Sequence, residues 1–168
     1  KLYLKDPEGS ELGKRILNEG ISMLTEIGYE QFTFKKLALK IPTTEATIYR
    51  YFENKHKFLI YLIDWYWAFI EFQVFFQTNN ITNPEIKIKK IIDLIVWEDN
   101  ADLNFSELDQ KALYYIATSE GSKAYHSRDV DDNNKAMLFK PYKDLCELIA
   151  NVFLEYNPAY ENPRALAS

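Results

Sequence analysis

Apolar residues recur along most of the chain at intervals of three and four, which is the spacing of one face of an α-helix. The first such segment begins after Ser10, a good N-cap residue, and ends at Gly28, which is suited to the backbone conformation found just after helices. Its apolar positions are Leu12, Ile16, Leu17, Ile21, Leu24 and Ile27. No segment of useful length alternates with the period of two typical of strands. The pattern predicts an all-α protein.

Two short helices separated by a tight break are predicted between residues 33 and 55. Thr33 is a suitable N-cap for the first helix, and Pro42 ends it because proline lacks a backbone donor. Thr43 or Thr44 then begins the second helix, over about residues 45–52. The inward positions of this helix are Ile48 and Phe52, at the i, i+4 spacing. This arrangement predicts a helix-turn-helix whose second helix is exposed.

Helices are predicted for most of the remaining chain. Asn54 is a reasonable N-cap for a long helix that reaches about Thr78, and Pro84 suits the first position of the next helix. Further helices are expected at about 106–119 and 135–156, with a polar loop or ragged helix end over 121–134. We therefore expect two domains: a helix-turn-helix domain at 1–53 and a larger helical domain at 54–168. Both ends of the chain look cut, so the second domain is expected to continue beyond Ser168.

Charge is distributed unevenly along the chain. The net charge is −5, but residues 1–60 carry ten Lys or Arg against eight Asp or Glu, whereas residues 61–168 carry ten against seventeen. Within residues 33–57 there are six cations and two acids, a local charge of +4. A basic surface on an acidic body is suited to orienting a protein on a polyanion such as DNA.

Other classes of function find little support in the sequence. The two histidines, His56 and His126, lie in different segments, and no metal-ligand spacing, glycine-rich phosphate loop or nucleophile motif is present. We expect no enzymatic activity, no metal and no cofactor. The most apolar run, residues 59–76, contains three polar residues and is expected to be core and not a membrane span. With a single cysteine and no cleavable signal, the chain is expected to be cytoplasmic.

Residues 14–59 resemble the DNA-binding domain of the TetR family of bacterial transcriptional regulators. The resemblance rests on an apolar first helix that ends in Gly-Tyr, a Thr-initiated second helix, and a third helix of the form Thr-Ile-Tyr-x-Tyr-Phe followed by Asn-Lys. These elements stand here as Ile16-Leu17, Gly28-Tyr29, Thr33, Leu37-Ala38, Thr47 to Phe52 and Asn54-Lys55. In the turn, the family usually has glycine followed by a small apolar residue, whereas this chain has Pro42-Thr43. Proline cannot take a positive φ, so the turn is expected to differ locally.

The resemblance implies roles for individual residues. Those that match phosphate-holding positions of the family are Thr33, Thr47, Tyr51 and Lys55. Those that match positions near base edges are Lys35, Glu45, Ala46, Tyr49 and Arg50. Arg50 or Lys35 could pair with guanine, Glu45 could accept from a cytosine amine, and Ala46 could touch a thymine methyl.

The resemblance also implies a homodimer that binds double-stranded DNA at a palindromic operator and is released by a small-molecule effector. The aromatic residues of the second half suit an apolar or aromatic effector, although such a stripe is also typical of plain core or dimer surface. The effector-binding candidates are Trp65, Phe69, Phe72, Trp97, Tyr114 and Tyr115. Two alternatives remain open from the sequence: a helical protein-interaction module without DNA binding, and a DNA-binding regulator without an effector.

Overall fold

A computed structural model describes residues 2–96, 108–125 and 139–168. Within these residues every regular element is an α-helix, so the all-α prediction is confirmed. The helices in chain order are α1 (Glu11–Gln31), α2 (Phe34–Lys40), α3 (Glu45–Tyr49), α4 (Lys55–Thr78), α5 (Pro84–Ile95), α6 (Gln110–Ser119), α7 (Gly121–Tyr125), α8 (Lys140–Tyr156) and α9 (Pro163–Ala167).

The chain forms two compact units. Among the described residues, the first unit comprises 2–66 and 108–125, and the second unit comprises 67–96 and 139–168. The division falls inside α4, which contributes to both units. The predicted domain boundary after residue 53 stays a prediction.

Helix α1 begins and breaks where its sequence predicts. The Ser10 side chain accepts a hydrogen bond from the Gly13 N–H, and Gly28 interrupts the helix with φ 73° and ψ 166°. These angles lie in a region that is essentially restricted to glycine. One side of α1 is fully buried, with Ile16 and Leu17 at 0% exposure. Glycine is also required at Gly20, since a Cβ there would lie 2.3 Å from Cζ of Phe58.

An aromatic cluster forms the core around the helix-turn-helix. Phe58, from the first turns of α4, stacks on Phe32 with ring centroids 5.5 Å apart and meets Phe52 edge to face at 4.9 Å. Phe34, the first residue of α2, contacts both Phe32 and Phe58 edge to face. Burial of each phenyl side chain stabilises the fold by roughly 1.5–3 kcal/mol, so this cluster fixes α2 and α3 against α1 and α4.

Helix α4 is anchored at the predicted N-cap. Asn54 accepts a hydrogen bond from the Lys57 N–H at 2.8 Å through its side-chain oxygen. By length and composition alone α4 could cross a membrane, but 61% of its most apolar window is buried within the fold. A core helix of a folded domain has this property, as expected for residues 59–76.

The second unit is built around α5, α8 and α9. Asn83 caps α5 by accepting from the N–H groups of Glu85 and Ile86, with Pro84 at the first helical position as predicted. Lys87 of α5 pairs with Glu155 of α8 at 2.6 Å, and Arg164 of α9 pairs with Glu147 of α8 at 3.2 Å. The buried apolar side chains of this unit include Ile70, Val74, Ile91, Leu145, Ile149 and Val152.

Three predicted helix bounds need correction. Helix α3 ends at Tyr49, and residues 50–51 continue as a turn. Helix α6 begins at Gln110 and not near residue 106, because Asp109 is the N-cap and accepts from the Ala112 N–H. The polar stretch predicted over 121–134 begins with the short helix α7, and its remainder lies outside the described residues. The helix predicted from about residue 135 begins at Lys140, with Phe139 as its N-cap.

Candidate nucleic-acid interface

The break between α2 and α3 is a tight turn built on Pro42. Ile41 is extended, with φ −107° and ψ 140°, and the Thr43 N–H donates to the Ile41 carbonyl at 2.6 Å. A bond between residues two apart closes a three-residue turn with the ring-restricted φ of proline at its centre. Thr44, rather than Thr43, then caps α3 by accepting from the Thr47 N–H at 3.2 Å. The helix-turn-helix is thus formed without the glycine usual for the family.

Helix α3 exposes the side chains expected to approach base edges. Ile48 is fully buried, whereas Ala46 and Arg50 are exposed, Tyr49 is 45% exposed and Glu45 is half-buried. The Tyr49 ring packs edge to face on Phe34 at 5.1 Å, which fixes its direction. The Arg50 side chain makes no hydrogen bond or ion pair within the described ranges, so the five donors of its guanidinium are free for a partner.

Two neighbouring lysines, Lys35 and Lys36, lie at the start of α2, and their side chains differ in whether they are hydrogen-bonded. Thr33 caps α2 by accepting from the Lys36 N–H at 3.2 Å. Lys36 donates its ammonium to the Gln31 carbonyl at 2.8 Å, whereas Lys35 is exposed and has no ion pair in the part of the chain that the structure describes. Of this pair, Lys35 is the cation available to a ligand.

Thr47 is held by its neighbour in α3. Its hydroxyl lies 2.9 Å from the Thr44 hydroxyl, and the residue is half-buried. A phosphate contact by Thr47 requires only a hydroxyl rotation, since one hydroxyl both donates and accepts.

Tyr51 is far less exposed than its predicted role suggests. Only 2% of the residue is exposed, and its hydroxyl lies 2.9 Å from Ser10 Oγ. The Ser10 hydrogen bond lowers the pKa of Tyr51 against the opposing effect of burial, and the nearby Lys5 lowers it further. The sequence identified Ser10 only as the cap of α1; its second contact joins residues 41 positions apart, which no local pattern reveals.

Lys55 is bound to the backbone at the end of α1. Its ammonium donates to the carbonyls of Tyr29 at 3.0 Å and Phe32 at 3.3 Å, with Glu30 O at 3.4 Å, and lies 4.4 Å from the Tyr29 ring centroid. The positive charge therefore compensates carbonyl groups at a helix end. Its predicted phosphate contact would add to, or replace, these bonds.

Glu120 holds the other side of the Tyr29 backbone. Its Oε1 accepts from the Tyr29 N–H at 3.2 Å, and its Oε2 lies 2.7 Å from the Lys123 ammonium. Burial raises the pKa of Glu120, but the bonds from Lys123 and from the Tyr29 N–H outweigh burial and leave the pKa below its usual value. Glu120 is therefore charged at neutral pH and fixes the segment that carries the Lys55 acceptors.

Fewer cations of the helix-turn-helix are available to a ligand than its composition suggests. The Lys40 ammonium lies 3.4 Å from Glu19 and 3.7 Å from Glu26, both on α1. Of the other cations in residues 33–57, Lys36 and Lys55 are hydrogen-bonded to backbone carbonyls, whereas Lys35 and Arg50 are exposed and neither side chain makes a hydrogen bond or ion pair among the residues described.

The predicted effector residues are spread over both units. Trp65, Tyr114 and Tyr115 belong to the first unit, Phe69 and Phe72 belong to the second, and Trp97 lies outside the described residues. Phe72 is 58% exposed and Tyr115 is 51% exposed. Tyr114 lies 6.2 Å, centroid to centroid, from the buried ring of Tyr66. The effector assignments stay predictions.

Two surface depressions lie elsewhere. One, of about 530 Å³, is on the first unit and is lined by Asn18, Ile21, Ser22, Thr25, Glu26, Asp109 and Ala112. The other, of about 520 Å³, is on the second unit and is lined by Tyr142, Lys143, Cys146, Glu147, Arg164, Ala165 and Ser168. None of the five effector candidates that the structure describes lines either of them. Within residues 2–96, 108–125 and 139–168, no group of three or more His, Cys, Asp or Glu side chains is arranged to hold a metal.

Comparisons with known proteins agree with this geometry. The sequence model described as "Bacterial regulatory proteins, tetR family" matches residues 16–62, which contain the whole helix-turn-helix. Among solved structures, the chain is similar to apo AibR, with a TM-score of 0.61 and 16% identity over 92% of this chain and 78% of that chain. It is also similar to the fatty acid degradation regulator FadR from Bacillus halodurans, with a TM-score of 0.65 and 19% identity over 91% and 77% of the two chains. The comparison with curated proteins gives no significant match. The family match confirms the resemblance identified in the sequence, and the two structures show a shared fold.

Proposed function

We propose that this chain, which belongs to the tetR family of bacterial regulatory proteins through residues 16–62, is a cytoplasmic repressor that binds a palindromic operator as a homodimer and leaves it when an effector binds. DNA binding and transcriptional regulation follow from the family. The observation that carries the proposal is the exposed face of α3, where Ala46, Tyr49 and Arg50 point away from the buried Ile48.

Direct base readout is assigned to this face and to the start of α2. The free guanidinium of Arg50 can donate two parallel hydrogen bonds to guanine O6 and N7, and the exposed Lys35 can donate to the same groups. Glu45 can accept from a cytosine amine, while Ala46 and Tyr49 can supply apolar and aromatic contact.

Phosphate binding is assigned to Thr33, Thr47, Tyr51 and Lys55. Thr33 and Lys55 lie at the N-terminal ends of α2 and α4, where backbone N–H groups and the helix dipole favour an anion. Tyr51 contributes a hydroxyl that is polarised by Ser10, and Thr47 contributes one that can rotate. These contacts set the register of α3 and carry no sequence information themselves.

The effector is proposed to be a small apolar or aromatic molecule. The aromatic side chains of α4 and α6 support this, because such rings line sites for flat or apolar ligands. A thermal-shift screen with aromatic and lipid-like compounds, followed by release of bound DNA, tests this part of the proposal. A compound that stabilises the protein but leaves DNA bound would contradict induction by that compound.

The DNA-binding part is tested by recovering genomic fragments with the full chain and sequencing them. We expect palindromic sites bound by a dimer, with dimer formation measured by sedimentation. Arg50→Ala should relax discrimination at one base pair in each half-site, at a cost of about 1–3 kcal/mol for that pair. Lys89→Ala is the matched control, because Lys89 lies on α5 outside the helix-turn-helix and pairs with Glu85. If the chain recovers no genomic fragment, and shifts none in a gel at low salt, the proposal is refuted and a protein-interaction module is favoured.

A further inference from the structure

The segment before α1 is attached to the turn that follows α3. We call residues 2–9 the N-terminal strap. The Leu4 N–H donates to the Tyr51 carbonyl at 2.8 Å, and Pro7 is buried. The strap is held at two further points, since Glu8 accepts from the Tyr61 hydroxyl and Tyr3 packs edge to face on the Tyr61 ring at 5.8 Å. The strap is therefore a fixed part of the helix-turn-helix.

This attachment places a cation beside the turn that follows α3. The Lys5 ammonium lies 5.0 Å from the centroid of the Tyr51 ring, and Lys5 is exposed whereas Tyr51 is buried. Ser10, the residue that follows the strap, contacts the Tyr51 hydroxyl. At the position where the resemblance expects a tyrosine to meet phosphate, an exposed lysine therefore lies next to the buried tyrosine.

The acidic residues of the strap, Asp6 and Glu8, bond to groups other than the Lys5 ammonium. One Glu8 oxygen accepts from Tyr61, and Asp6 Oδ1 accepts from the Glu8 N–H at 3.0 Å within the strap itself. Lys5 makes no ion pair among the described residues, and its ammonium lies over the Tyr51 ring. An exposed ammonium that already has a fixed direction loses less side-chain freedom when it binds an anion.

We propose that the N-terminal strap is part of the DNA-binding surface and that Lys5 contacts a backbone phosphate next to the one approached by Tyr51. This inference rests on the proposed DNA-binding function and adds a contact outside the segment that matches the family, residues 16–62. Because the contact is to phosphate, it raises affinity for every sequence and leaves the choice of operator unchanged.

The test measures binding of the full chain to a random-sequence duplex by fluorescence anisotropy over a range of salt concentrations. Binding without sequence preference is almost wholly electrostatic, so the operator need not be known. Lys5→Met keeps an unbranched side chain and the backbone bond from Leu4, and removes the charge. The slope of log K against log salt should fall by about 0.9 for each protomer bound. Lys5→Arg should retain the wild-type slope, as should Lys89→Met in the second unit. Unfolding temperatures of the variants should match the wild type.

Each other outcome overturns the inference. An unchanged slope for Lys5→Met, with normal salt-dependent binding by the wild type, would show that the strap only supports the fold. Tighter binding by Lys5→Met would show that the strap covers Tyr51 and opposes DNA. If the wild type itself shows no salt-dependent binding to any duplex, the proposed function fails and this inference fails with it.

Discussion

The side chain of Asp64 is a buried carboxyl, and burial disfavours its charged form. It lies in the middle of α4 and is 8% exposed, and its Oδ1 is buried with no hydrogen-bond partner in the described part of the chain. Burial raises the pKa of Asp64 from 3.8 to about 8. We therefore predict that Asp64→Asn, which keeps the shape and removes the charge, stabilises the protein in a pH-dependent way.

The sign and size of the effect follow from proton binding. Between the unfolded pKa and the folded pKa, the folded state holds a proton that the unfolded state releases, so raising the pH favours unfolding. Each pH unit in this window lowers the free energy of unfolding by about 1.4 kcal/mol. Both pH 5 and pH 7 lie below the folded pKa of Asp64. Between about pH 5 and about pH 7, the free energy of unfolding of the wild type should therefore fall by about 3 kcal/mol more than that of Asp64→Asn.

The assay is urea unfolding of both proteins at those two pH values and one fixed protein concentration, since association would otherwise shift apparent stability. Asp93→Asn is the control because Asp93 is an exposed aspartate on α5. The difference between wild type and control should be the same at both pH values. If the advantage of Asp64→Asn is also the same at both, Asp64 is not protonated in the folded protein and the reasoning is refuted.

Two further predictions concern the helix-turn-helix. Gly20→Ala should lower the free energy of unfolding by roughly 1–3 kcal/mol in urea titrations, because its Cβ would overlap the fully buried Phe58 ring; a neutral or stabilising effect would show that the ring can move. Tyr51→Phe keeps the buried ring and removes only the hydroxyl, so it should weaken binding to all duplexes equally in anisotropy titrations, with little change in unfolding temperature; equal binding by both proteins would exclude the hydroxyl as a phosphate donor.

Local features of the sequence were sufficient to predict most of the helices. Ser10, Thr33, Asn54 and Asn83 each accept hydrogen bonds from N–H groups in the first turn of the helix that follows, and a cap depends only on residues within one turn. Helix α6 was predicted to begin near residue 106, which is too early. Here Asp109 is the residue that caps α6.

The environment of the candidate site could not be predicted in the same way. The partners of Tyr51 and Lys55 come from residues 41 and 26 positions earlier in the chain, and only packing brings them together. Similarly, α4 carries aromatic residues on all sides, so periodicity cannot tell that Tyr66 is buried while Phe72 is exposed. The family resemblance assigned a role to each of these positions. The structure adds the contacts that each side chain already makes and would exchange for DNA or a ligand.

This difference leads to opposite predictions for two lysines of α2. The sequence counts Lys35 and Lys40 equally toward a basic surface, but the Lys40 ammonium lies within 4 Å of two glutamates of α1, whereas Lys35 has no ion pair within the described residues. Release of counterions from DNA requires a protein cation that approaches phosphate, and an ammonium held between carboxylates is already neutralised. Lys35→Met should therefore lower the slope of log K against log salt by up to about 0.9 for each protomer, while Lys40→Met should leave it unchanged. Equal losses from the two substitutions, measured on the same random-sequence duplex, would mean that Lys40 leaves its glutamates when DNA binds and that the net charge of the segment governs affinity after all.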